Sequence, residues 1–137
     1  MKRTVFDHER VGRWVCERLN CQFDKTSSAA IGIERDGELV GGVFYDNFRT
    51  RCIAMHVASA GAHWMTMDFL WYAFAYPFQQ LGVSKVMAPI DSTNTNARHF
   101  VERLGFVLEA SIAEGSKDGD LLIYTMNRAQ CRFLKGK

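Results

Sequence analysis

Asn94-Thr95-Asn96-Ala97-Arg98-His99-Phe100-Val101-Glu102-Arg103-Leu104-Gly105-Phe106 organises the second half of this chain. Ala97, Phe100, Val101 and Leu104 recur at the 3.6-residue spacing that puts them on one helix face, and Arg98, Glu102 and Arg103 fall on the other. Thr93, Asn94 and Asn96 each carry a side-chain oxygen able to accept from the free amides of a first turn, and Gly105 stands just past the last apolar position. A core-facing helix over Asn94 to Leu104 follows, entered from an apolar strand, Val83 to Ile90, and left through the strand-like run Phe106 to Ala113.

Upstream, Met65 to Leu81 is dense in Phe, Trp, Tyr and Leu, too long for one strand and closed by Gly82, so it reads as a buried helix. Pro77 removes one backbone donor near its end, which should kink or loosen the last turn and leave a carbonyl near Ala73 in need of another partner. Before it, Ala29 to Ile33 and Leu39 to Phe48 flank Asp36-Gly37, a pair that tolerates the positive φ of a hairpin turn, and Cys52 to Ala58 continues the meander. Val11, Trp14, Val15 and Leu19 define a first helix from Asp7, its cap. At the far end Lys117-Asp118-Gly119-Asp120 separates Phe106 to Ala113 from a last strand, Leu121 to Met126. The predicted order is α-β-β-β-α-β-α-β-β, an α/β chain with a mixed, mostly antiparallel sheet, helices on both faces and one parallel crossover near the middle.

With 137 residues, 47% hydrophobic and 23% charged, the chain suits a single domain with a substantial core. Seventeen basic against fifteen acidic side chains leave a charge of +2, too small for a dedicated nucleic-acid binder. The longest apolar run, Phe69 to Phe78, is half of the roughly 20 residues a membrane span needs. Asp7-His8-Glu9-Arg10 falls where a signal peptide would be apolar, which points to the cytoplasm. Cys16, Cys21, Cys52 and Cys131 show no zinc spacing, so free thiols in a reducing compartment and no metal are expected. Arg128, Arg132, Lys135 and Lys137 read as a solvated basic tail.

The element order, with Asn94 three residues before Ala97 on a helix ending in Leu104-Gly105-Phe106, resembles the GNAT superfamily of acyl-CoA-dependent N-acyltransferases over nearly the whole chain. The aromatic helix followed by Phe78-Gln79-Gln80-Leu81-Gly82 is similar to the branch that acetylates ribosomal-protein N-termini, and the chain as a whole to small phage and prophage members. The resemblance implies one GNAT-like acyltransferase domain over residues 1–137, with acetyl-CoA as co-substrate. A primary amine, small molecule or protein N-terminus, would attack the thioester directly in a ternary complex. A homodimer is compatible with this reading.

In such a fold the pantetheine arm is expected between the strand ending at Ala58 and the strand starting at Val83, against backbone groups at Val57 and Ala58. The pyrophosphate is expected over Ser59 to Thr66, where free amides and a helix dipole favour an anion. Gly61, Trp64 and Thr66 stand at the three marked positions of the family's Arg/Gln-x-x-Gly-x-Gly/Ala loop, with Ala62, His63 and Met65 completing the segment and His63 a phosphate-side donor. Asn94 is expected to touch the coenzyme, and Val101 replaces the Tyr that in many members protonates the leaving thiolate. His56 is then the nearest candidate base, since an unperturbed imidazole titrates near ~6.5, and a backbone amide near Val57 can meet the developing oxyanion. His99 reads as solvent-facing and Cys52 as a small apolar residue. The altered loop and Val101 also suit another reading, a catalytically inactive GNAT-fold scaffold that binds a protein partner.

Overall fold

Turn chemistry sets the first half of the molecule, whose computed structural model describes residues 1–24, 26–61 and 63–134. Asp36 and Gly37 both adopt positive φ, 53° and 88°, and join β2 (Ala29–Arg35) to β3 (Glu38–Asp46) as an antiparallel hairpin. β4 (Cys52–Ser59) pairs back on β3, from Gly41 opposite Ser59 to Asp46 opposite Ala54. A further strand, β1 (Lys2–Val5), lies outside β2 and was not expected from the sequence. It carries two charges in four residues and gains its strand character from pairing with Gly32 to Arg35 rather than from its own pattern.

The described strands form one seven-stranded sheet in the order β1-β2-β3-β4-β5-β7-β6, where β5 is Lys85–Asp91, β6 Val107–Ile112 and β7 Leu121–Asn127. Every neighbouring pair is antiparallel except β4 and β5, which join the two hairpin systems in parallel.

Helix α1 (His8–Leu19), capped by the Asp7 side chain on the Arg10 amide at 3.1 Å, packs Val11, Val15 and Cys16 on one sheet face against Ala30, Phe44 and Ala58. Helices α2 (Met67–Ala75) and α3 (Thr95–Leu104) cover the other, where Phe74 stacks on Phe78 and Phe133. The sequence's long aromatic helix is thus shorter than expected at both ends: α2 begins at Met67 and passes at Tyr76–Gln80 into a π turn containing Pro77. With no N–H at Pro77, the Ala73 carbonyl takes the Tyr45 hydroxyl at 2.5 Å instead. α3 is held to β7 by Tyr124, whose hydroxyl donates to Glu102 at 2.7 Å and accepts from Arg98 at 3.3 Å.

Candidate active site

Parallel pairing between β4 and β5 lasts only three residues, Cys52 to Ala54 against Lys85 to Met87. Beyond them β4 stays bonded to β3 as far as Ser59, and β5 stays bonded to β7 as far as Asp91, so the two central strands part while each keeps its outer neighbour. Their facing backbone edges, residues 55–59 and 88–91, are left without a ladder partner. Pro89, which has no N–H to donate, falls in this stretch. A cleft of about 1020 Å³ opens there, floored by the splayed strands and walled by α3 and the β4–α2 loop.

His56, Val57, Ser59, Gly61, His63, Trp64, Met65 and Asn94 all line this cleft, which brings together most of the residues singled out from sequence. Ala58 and Thr66 do not line it. Ala58 turns to the opposite face and packs with the α1 cluster, while the Thr66 hydroxyl caps α2 by accepting from the Phe69 amide at 3.1 Å. Ala62 lies outside the described residues, as do Lys135 and Lys137 of the basic tail. Asn94 caps its helix, its side chain accepting from the Ala97 amide at 3.1 Å, and it also borders the cleft.

His56 lies opposite Phe44 in the ladder and shares the α1 face with it. From there its Nε2 is 2.8 Å from Asp46 Oδ1, a partner that sequence reasoning missed because the contact is diagonal across two strands and depends on their register. The imidazole, held by the carboxylate on the α1 side of the sheet, is a quarter exposed, and His56 borders the cleft where the strands part. Cys52 is a poor nucleophile candidate: it begins β4, away from the splay, and burial pushes its thiol up from 9.0, against the direction a reactive thiolate requires.

The β4–α2 loop is anchored rather than open. Ala60 donates to the Val40 carbonyl at 2.9 Å, and Lys2 donates to the carbonyl of His63. Trp64 is buried against Phe69, Phe100 and the bare backbone of Gly41, where a Cβ would come within 2.1 Å of the indole. The indole therefore occupies the space under the loop. His99, expected in solvent, is exposed but faces the cleft, with Asn96 and Arg103 beside it on α3.

A smaller cavity of about 400 Å³ lies along the C-terminal half of α2, between Phe6, Trp71, Tyr72 and Tyr76.

A central parallel pair splayed inside an otherwise antiparallel sheet, with α1 on one face and α2 and α3 on the other, defines the GNAT acetyltransferase fold, and this chain has it. It is similar to a mutant spermidine N-acetyltransferase of Vibrio cholerae, with a TM-score of 0.75 and 15% identity over 98% of this chain and 96% of that one. The enzyme of the same name and organism in complex with CoA and spermine gives 0.63 and 17% over 86% and 74%, and a probable acetyltransferase gives 0.66 and 19% over 85% and 68%. No family model and no curated protein matches the sequence.

Proposed function

We propose that residues 1–137 act as one acyltransferase domain that transfers acetyl from acetyl-CoA to a primary amine in a ternary complex. The observation that carries this reading is the β4–β5 splay, with the His56–Asp46 pair beside its wall. The unpartnered backbone edges of residues 55–59 and 88–91 fit a pantetheine arm, whose amides need N–H and C=O partners at strand spacing. The β4–α2 loop carries Gly61 as its one described glycine, and the bulky Trp64 side chain packs beneath it against Phe69, Phe100 and Gly41.

When bound, acetyl-CoA supplies an activated acetyl group as a thioester. The protein's share is to hold the amine, remove its proton and stabilise negative charge on the carbonyl oxygen. His56 takes the proton directly or through one water, in an orientation set by Asp46. The Val57 backbone amide, on the strand edge beside it, donates to the oxygen. Val101 is buried in the cleft wall and offers no hydroxyl, so the departing sulfur takes its proton from water. The raised thiol of Cys52 supports direct attack over a covalent thioester on the enzyme.

The acceptor is a small amine or a protein N-terminus. Phe78 to Gly82, which carries the likeness to the ribosomal-protein branch, closes α2 and does not border the cleft, so that likeness names no acceptor. The cytoplasm, where cysteines stay reduced, suits the four free thiols. Calorimetric titration with acetyl-CoA tests the reading: saturable binding is expected, and none at millimolar ligand with the protein folded overturns it in favour of a scaffold.

A further inference from the structure

The cleft-facing side of α3 carries two rows. Ala97, Val101 and Leu104 form an apolar inner row against the splayed strands. Asn96, His99 and Arg103, spaced i, i+3, i+7, form a polar outer row along the rim. At 1.5 Å per residue the outer row is ~10 Å long.

The charges nearby are unequally committed. Arg98 is bound to the Tyr124 hydroxyl and the Ser92 carbonyl, and Glu102 accepts from the same hydroxyl. Asp91, the acidic residue bordering the cleft, already accepts from the Thr93 amide and hydroxyl and from the Asp118 amide, which hold its carboxyl below the ordinary aspartate range. His99 and Arg103 make no ion pair among the described residues, and His63 faces them from the loop side of the cleft. The rim is thus a row of uncommitted hydrogen-bond donors with one fixed positive charge, Arg103, long enough for more than one anionic group and bordering an apolar trough. Across from it, the Trp64 indole is buried against Phe69, Phe100 and Gly41, and the Ala60 amide of the loop already donates to the Val40 carbonyl.

We infer that the phosphates of the acyl donor are held by the α3 rim, through Arg103 and His99 with His63 opposite. The inference rests on the donor reading above. Its chemistry is that of a nucleotide-linked thiol: an uncharged arm in the trough and several phosphate charges along the rim.

The test compares CoA with pantetheine, which has the same arm and no phosphate, by calorimetry on the wild type, on His99→Gln/Arg103→Gln, and on Arg103→Lys. Both residues are exposed, so the melting temperature should hold. The double variant is expected to bind CoA about tenfold or more weakly with pantetheine unchanged, because hydrogen bonds to charged groups are lost. Arg103→Lys should keep most of the CoA affinity. Raising the salt should weaken CoA binding more in the wild type than in the double variant. Wild-type affinity for CoA in the double variant overturns the inference, as does an equal loss for pantetheine, while the donor reading survives either result. A wild type that binds neither ligand overturns the donor reading, and this inference with it.

Discussion

His56 and Asp46 are ten residues apart in the chain and 2.8 Å apart in the fold. The imidazole alone was legible in the sequence, since it falls two residues before the expected end of a central strand, where the splay opens. Its carboxylate was not, because a single sequence does not state which residue of β3 opposes which residue of β4. The roles proposed for the pair are separable by measurement. His56→Gln keeps a polar side chain of similar reach but accepts no proton near neutrality, so turnover should fall about 10²-fold or more while CoA affinity holds. Asp46→Asn keeps the base and loosens its orientation, so turnover should fall by about tenfold, again with CoA affinity unchanged. Equal turnover in His56→Gln and the wild type would assign the proton to another group.

Tyr45 joins β3 to α2 through one hydroxyl, and that contact answers the demand Pro77 makes on its helix. Burial pushes the phenol well above 10.0, so it stays a neutral donor at any working pH. Tyr45→Phe keeps the ring, which lies 4.9 Å from that of Tyr76, and strands the Ala73 carbonyl. Stability should drop by about 1–3 kcal/mol in urea unfolding, with the cleft and its ligand affinity untouched. A loss well below that range would mean that water replaces the hydroxyl. Elements of this size were largely readable. Asp36-Gly37, Asn94 and Gly105 carry turn and cap chemistry in their own side chains or lack of one, and α3 and the β2–β3 hairpin lie where those residues put them. The π turn was foreshadowed by Pro77 alone, and β1 escaped because four residues bearing Lys2 and Arg3 look polar until β2 is placed beside them.

Across the whole molecule, Glu34 is the point where three elements meet. Buried on β2, it accepts from Arg3 of β1 at 2.5 Å and from Arg10 of α1 at 2.9 Å. Hydrogen bonds from Arg10 and then Arg3 hold its carboxyl below 4.5, so its support for the fold is complete above that value and is lost as pH falls through the folded value. Glu34→Gln should lower the melting temperature at pH 7, and between about pH 5 and pH 3 it should lose less further stability than the wild type. Parallel acid limbs in the two proteins would show that the carboxylate is not what couples β1 and α1 to the sheet. The cleft itself was legible only as a place: its strand ends and loop were marked in the sequence, whereas the α3 rim needed the helix to be docked before Asn96, His99 and Arg103 could be seen to face inward. The chain's three tryptophans also report on different regions. Trp14 lies under the Arg18 guanidinium and Trp71 borders the α2 cavity, while Trp64 borders the cleft in a buried stack with Phe100. An indole packed this way emits to the blue of a solvated one, and a ligand that parts it from Phe100 changes its colour and quenching. A change in Trp64 emission on adding acetyl-CoA is the expected sign of cleft occupancy, read from a residue the protein already carries.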